Sequence, residues 1–225
     1  MLRALLLDLD GTLVDTPQAI VDVMQATLTA LGRAPAEPQA IRDTIGLPLP
    51  ESLALLLGTE PAGAGEAVAI YRRLWHSQVT PRVSQLLYAG VREGVAEWRA
   101  MGLRLAVVTG KSQEGADGTV ALMGMTQQME VVLGYTSVAR GKPAPDLALE
   151  ALKRLAVRSD EALVIGDSEL DIGMASAAGV RAIAVTYGAQ SAERLQGATW
   201  FADSFSEVMR IVREEARLGP CPSPA

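Results

Sequence analysis

Cysteine, histidine and surplus positive charge are all scarce in this chain, and each shortage excludes something. The one cysteine, Cys221, lies among prolines near the carboxyl end, so no internal disulfide can form and a reducing, cytoplasmic setting is expected. The one histidine, His76, stands alone on a segment of helical pattern and reads as a packing or surface residue. Lys and Arg number 20 against 26 Asp and Glu, a net charge of -6. That balance argues against a nucleic-acid or membrane partner and requires local cations wherever an anionic substrate binds. No apolar run has the length of a transmembrane helix, and the amino terminus enters a strand pattern without a cleavable signal. Internal repeats and low-complexity blocks are also missing. The composition leaves the oligomeric state open.

What the chain does have is 225 residues, 49% of them hydrophobic, enough for one large domain or one domain with an insertion. Its organising stretch is Leu5-Leu6-Leu7-Asp8-Leu9-Asp10-Gly11-Thr12. An apolar run opening onto two acids and a glycine reads as a buried parallel strand that delivers carboxylates into a crevice. Side chains of a strand repeat every second residue, so Asp8 and Asp10 start on one side and need a cation, a shared proton or both. Gly11 allows close approach of a ligand and Thr12 adds a hydroxyl. Taken alone, the stretch also reads as a strand running into an acidic corner at Asp10-Gly11.

Downstream, Thr16 is placed to cap a helix with Pro17 in its first turn, and Ile20, Val23, Met24, Leu28 and Leu31 form its stripe up to Gly32. Strand signals then vanish until about Arg82. Residues 36–57 read as two short helices divided at Gly46-Leu47-Pro48, and Val68, Tyr71, Trp75 and Val79 mark one face of a longer helix. Residues 16–83 therefore read as an all-helical insertion. From Gly90 apolar strands alternate with helices: 103–108, a short strand near 131–133, 162–165 and 182–185. The alternation predicts an α/β, Rossmann-like parallel sheet covered on both faces, formed by residues 1–15 and 84–218. Ser204 and Glu207 are spaced as a capping box for a last helix, and residues 219–225, with three prolines, read as a frayed tail.

Ligands of open parallel sheets sit beyond the carboxyl ends of the strands, where this chain carries Asp8 and Asp10, then Thr109, then Asp167. Gly166-Asp167-Ser168-Glu169-Leu170-Asp171 adds a second pair of acids across a strand-to-helix turn. In isolation that segment is a capped turn; at the end of a buried strand it suits a hard divalent cation such as Mg²⁺, to be held by Asp8 and Asp167. Lys142, taken alone, reads as a solvated loop lysine.

Asp8-Leu9-Asp10-Gly11-Thr12, Thr109, Lys142-Pro143 and Gly166-Asp167 with Asp171 occur in the order of the four motifs of the haloacid dehalogenase superfamily, and the chain resembles its phosphatases. The inserted helices resemble the cap that many members place between the first two motifs. The resemblance implies Mg²⁺-dependent phosphoryl transfer through an aspartyl-phosphate. It makes Asp8 the nucleophile, Asp10 the general acid and base, Thr109 a phosphoryl hydrogen-bond partner and Lys142 the neutralising cation. It assigns the metal to Asp8, the backbone carbonyl of Asp10 and Asp167, with Asp171 as an acidic support through the metal's water or through Lys142. Thr12, Gly110 and Lys111 on the core, and Gly46, Leu47 and Pro48 on the cap, are expected to bind substrate. Arg42, Arg72 or Arg82 would meet a substrate carboxylate, though as sequence each reads better as a solvated helix face.

Within the superfamily, an acid at Asp10 favours phosphate-ester chemistry over dehalogenation. Leu13-Val14-Asp15-Thr16, Gly46-Leu47-Pro48, Lys142-Pro143-Ala144-Pro145-Asp146 and Val185-Thr186-Tyr187-Gly188 resemble bacterial phosphoglycolate phosphatases, which makes 2-phosphoglycolate the leading substrate. The sequence departs from them at Gly110, where Asn is common, and at Tyr135, where an acid is often found. The alternatives are a β-phosphoglucomutase-like transfer, disfavoured by the apolar Leu49 after the Gly46 turn, a pyrophosphatase or nucleotidase, and a phosphate-binding module without turnover.

Overall fold

The computed structural model describes residues 1–217; the segment read as a tail from Gly219, with Cys221, lies outside the described residues. Six strands run parallel: β1 (Ala4–Leu7), β2 (Arg104–Thr109), β3 (Val131–Gly134), β4 (Ala162–Gly166), β5 (Arg181–Val185) and β6 (Trp200–Ala202). Their order is β3-β2-β1-β4-β5-β6, so the winding reverses between β1 and β4. Alternate residues serve opposite faces. Leu5, Leu7, Leu105, Val107, Leu163 and Ile165 join one buried cluster, and Ala4, Leu6, Ala106, Val108 and Val164 the other.

Five helices cover the two faces: α5 (Val91–Ala100), α6 (Gln113–Leu122), α7 (Asp146–Leu155), α8 (Glu169–Ala177) and α9 (Phe205–Arg217). On α7, Leu147, Ala148, Ala151, Leu152 and Leu155 form a buried stripe that packs on β1, β2 and β3. Trp98 of α5 and Phe205 of α9 meet on the opposite face with ring centroids 5.4 Å apart.

Four helices stand between β1 and α5: α1 (Pro17–Ala30), α2 (Pro38–Arg42), α3 (Leu49–Leu57) and α4 (Gly65–Gln78). The chain enters and leaves them through paired segments. Val14 bridges Leu87 antiparallel, the Asp15 N–H donates to the Leu86 carbonyl at 2.7 Å and the Tyr88 N–H to the Leu13 carbonyl at 3.1 Å. Ile41, Leu53, Ala67 and Tyr71 belong to the same buried cluster as Leu5 and Leu7, so apolar packing is continuous from these helices into the sheet. No single helix among the described residues is long and apolar enough to cross a membrane.

Three local expectations are corrected. β6 is a strand the pattern does not mark, because it has three residues and Phe201 is 42% exposed. Thr16 precedes α1 but its hydroxyl caps nothing; it donates to Asp10 Oδ1 at 2.6 Å. At α9, Glu207 accepts from the Asp203 N–H at 3.2 Å, while the Ser204 hydroxyl meets that of Ser206, so the capping box between Ser204 and Glu207 does not form.

Candidate active site

The reversal of winding creates the crevice in which the acids meet. Leu7 is in register with Ile165, and the Asp8 N–H extends the ladder to the Ile165 carbonyl at 3.0 Å. Asp8 and Asp167 thereby emerge side by side from neighbouring strands. Asp8, Asp167 and Asp171 are all buried, and each offers an oxygen within 4.8 Å of the other two. Gly11, at φ +77°, turns the chain beside them; a Cβ there would fall inside the Asp167 carboxylate.

Lys142 enters from the loop before α7 with its side chain fully buried, its ammonium 2.5 Å from Asp171 Oδ1 and 2.9 Å from Asp8 Oδ1. Its position explains why a loop lysine here is not a solvated one. Asp171 is fixed in turn by Ser168, whose hydroxyl donates to Oδ2 at 2.5 Å and whose N–H donates at 3.2 Å. The capped-turn reading of this segment and the functional one are thus both realised: the cap of α8 aims Asp171 at Lys142. Asp167 Oδ2 accepts from the Ala189 N–H at 2.6 Å, and its Oδ1 from the Thr12 hydroxyl at 3.4 Å.

Burial pushes the Asp8 carboxyl up to about 6, the Asp171 and Asp10 charges add to that, and Lys142 opposes it. Burial, followed by the charges of Asp8 and Asp171, also holds Asp167 well above the carboxylate range. For Lys142 burial works toward a lower pKa, but the facing Asp171 and Asp8 outweigh it and hold the ammonium above its ordinary value. Three buried carboxylates face one ammonium, and Asp8 Oδ1 has no hydrogen bond of good geometry. All the donors are hard oxygens, so the residues present fit a divalent cation of the Mg²⁺ type.

Asp10 lies apart from this triad. Its Oδ2 is 2.8 Å from Lys111 Nζ, and Oδ1 takes the Thr16 hydroxyl. Lys111 also lies over the Trp75 ring of α4, 4.6 Å from its centroid, so core and inserted helices both act on the Asp10 contact. Asp8, Asp10, Thr109, Gly110 and Lys111 line a cleft of about 370 Å³ together with Gly46 and Leu47. At Gly110 a Cβ would overlap the Gly46 carbonyl oxygen, which accounts for glycine at that position.

Other expected substrate contacts fall elsewhere. Thr12 is wholly buried, its hydroxyl aimed at Asp167 rather than at the cleft. Pro48 lines a separate cavity of about 490 Å³ with Lys142 and Tyr135. Arg72 lines the cleft, whereas Arg42 donates to Gln18 on the surface of the inserted helices and Arg82 is exposed outside the cleft lining. His76, read as a packing or surface residue, is exposed and lines the cleft. The Thr16 contact with Asp10 goes unforeseen in sequence; the only available signal is a hydroxyl six residues after an acid.

Comparison with known proteins agrees with this geometry. The model of the haloacid dehalogenase-like hydrolase family matches residues 5–185. The probable phosphatase IndB of Dickeya dadantii (strain 3937) is 36% identical over 219 residues, covering 96% of this chain and 95% of its own. A plasmid-borne phosphoglycolate phosphatase of Cupriavidus necator is 34% identical over 224 residues, covering 96% and 95%. The crystal structure of a predicted phosphatase from Clostridium acetobutylicum superposes with a TM-score of 0.81 at 25% identity, covering 95% of this chain and 99% of that one. The chain belongs to the haloacid dehalogenase-like hydrolase family and is an enzyme of its phosphatase class.

Proposed function

We propose that this phosphatase hydrolyses phosphoric monoesters of small metabolites through an aspartyl-phosphate on Asp8, with Mg²⁺ as cofactor. The observation that carries the reading is the buried Lys142 ammonium, 2.9 Å from Asp8 Oδ1 and 2.5 Å from Asp171 Oδ1. An anionic nucleophile approaching an anionic phosphoryl group needs a fixed positive charge beside it, and a carboxylate that forms a covalent intermediate splits one hard displacement into two.

In the first step an Asp8 oxygen bonds to phosphorus while the bond from phosphorus to the ester oxygen breaks. Asp10 gives its proton to the departing oxygen, so the alcohol leaves neutral. In the second step the ionised Asp10 takes a proton from water as the water oxygen bonds to phosphorus, which frees Asp8 and releases phosphate. Thr109 hydrogen-bonds a phosphoryl oxygen, Thr16 and Lys111 hold Asp10, and Asp171 positions Lys142. Asp8, Asp167 and the Asp10 carbonyl would hold Mg²⁺, which when bound withdraws charge from the phosphoryl oxygens. Both Asp171 oxygens are engaged by Lys142 and Ser168, which supports an indirect role for that acid.

The apolar Leu49 after the Gly46 turn supports hydrolysis over transfer to a second hydroxyl, and the single cysteine suits the cytoplasm. The phosphoglycolate phosphatases among the relatives make 2-phosphoglycolate the first substrate to assay, beside pyrophosphate and nucleoside monophosphates. Acid quenching during turnover of a ³²P-labelled ester tests the mechanism. The wild type should retain label that hydroxylamine removes, EDTA should abolish it, and Asp8→Asn should carry none. Ordinary turnover by Asp8→Asn overturns the assignment.

A further inference from the structure

If the chain is the phosphatase proposed above, the cleft over Asp8 and Asp10 also defines the alcohol that leaves. At about 370 Å³ the cleft lies in the range that accommodates drug-sized ligands. A two-carbon glycolate would fill a small part of it and leave the rest to water. Apolar side chains make up the larger part of its walls, Ile20 and Met24 from α1, Leu47 from the turn, Tyr71 and Trp75 from α4, and Leu122 from α6, with Thr44, Ser52 and Thr119 among them. Met24 is 3% exposed and Tyr71 8%, so the walls from α1 and α4 are packed surfaces, while Leu122 stands exposed at the rim.

No buried, unpaired cation among the described residues faces the cleft for a small trianionic substrate with a carboxylate next to its ester carbon. Among the described residues lining the cleft, Lys111 is engaged by Asp10 at 2.8 Å and by the Trp75 ring, while Arg72 and His76 are solvent-exposed. Gly118 of α6 adds open volume on the wall near Leu122, since a Cβ there would meet nothing within 4 Å. Apolar walls reward apolar surface removed from water and give nothing to a short polar chain.

We propose that the substrate is a phosphate ester of a ring-bearing, largely apolar alcohol, its ring filling the space between α1, α4 and α6 while its phosphate meets Asp8. Hydrolysis breaks the bond from phosphorus to the ester oxygen, the alcohol takes its proton from Asp10, and water supplies the oxygen and one proton of inorganic phosphate while its other proton returns to Asp10.

The test compares ethyl phosphate, 2-phenylethyl phosphate and 2-phosphoglycolate with Mg²⁺; the first two leave alcohols of similar basicity, so the ring is the variable. The phenylethyl ester should have kcat/KM at least about tenfold above either of the others. Gly118→Leu, which narrows the cleft, should lower the phenylethyl value more than the ethyl value and close the gap. Calorimetric titration with the non-hydrolysable 2-phenylethylphosphonate and ethylphosphonate reads the same cleft without turnover, and the ring compound should bind at least about tenfold tighter. Equal values, or a preference for 2-phosphoglycolate, overturn the inference and leave the phosphatase standing. Phosphate release from none of the three esters overturns the phosphatase reading instead, and the phosphonate pair then decides alone: tighter binding of the ring supports the cleft assignment, equal binding overturns it.

Discussion

The carbonyl oxygen of Gly46 occupies the space that a Cβ on Gly110 would need, so the turn between α2 and α3 docks backbone to backbone on the loop after β2. The contact brings Leu47 over the cleft. Replacing Gly110 by Ala must lift that turn, and a misplacement of about 1 Å around a reacting centre can cost about 10²-fold in rate. Gly110→Ala should lower kcat/KM by about 10–100-fold while global stability changes by no more than about 1 kcal/mol, because the turn can move as a unit. Steady-state kinetics beside a urea melt check both. Unchanged kinetics would mean that the turn does not need this seat during turnover.

Thr16 gives its hydroxyl to Asp10 at 2.6 Å and spends none of it on capping α1. Removing a hydrogen bond to a charged group forfeits about 1.5–3 kcal/mol of local preference. Thr16→Val should therefore lower kcat on the order of tenfold, with little change in KM since the phosphate contacts are untouched, and Thr16→Ser should restore the rate. A Val variant with wild-type kcat would remove Thr16 from the positioning of Asp10.

The sheet and the acids at its strand ends were legible because parallel strands buried on both faces print as apolar runs, and Asp8, Thr109 and Asp167 stand where those runs stop. The inserted helices were legible from the loss of strand signals and the Gly46-Leu47-Pro48 break. β6 was not, since three residues on an edge, one of them exposed, carry no period. Thr16 was misjudged because a hydroxyl before Pro17 matches a cap locally, and only the fold brings Asp10 within its reach. Thr12 and Pro48 are expected on the substrate side from the resemblance, yet the Thr12 hydroxyl turns to Asp167 and Pro48 lines the neighbouring cavity, placements that only the folded chain decides. Gly110 looked like a missing side chain; its reason is a carbonyl 64 positions earlier, which no local pattern holds.

Asp171 does two jobs with two oxygens, Oδ1 for Lys142 at 2.5 Å and Oδ2 for Ser168 at 2.5 Å. Asp171→Ala leaves a buried ammonium with Asp8 alone and a helix end without its partner. Breaking one side of a buried ion pair costs about 3–5 kcal/mol, and the remaining Asp8 contact points to the lower end. Asp171→Asn keeps the cap acceptor and should lose less. Urea denaturation should rank the wild type above Asn and Asn above Ala, and equal stability of the two variants would mean that the charge and not the cap is what matters.

Three buried carboxylates against one ammonium is an arrangement that resists closing on itself without a further cation. Mg²⁺ should therefore stabilise the fold as well as switch on turnover. At about 100 times its Kd a ligand specific to the folded state contributes about 2.7 kcal/mol, and a chain of this length gains about 2–4 °C in Tm per kcal/mol. Adding Mg²⁺ to EDTA-stripped protein should thus raise Tm by about 5–10 °C. Asp167→Asn removes a carboxyl whose charged form burial disfavours while keeping an oxygen for the Ala189 N–H, so its metal-free form should melt no lower than the metal-free wild type. That variant should also lose most of the Mg²⁺-induced rise. A metal-free Asp167→Asn protein that melts well below the wild type would show that the carboxylate serves the fold through its hydrogen bonds and not as a seat for the cation.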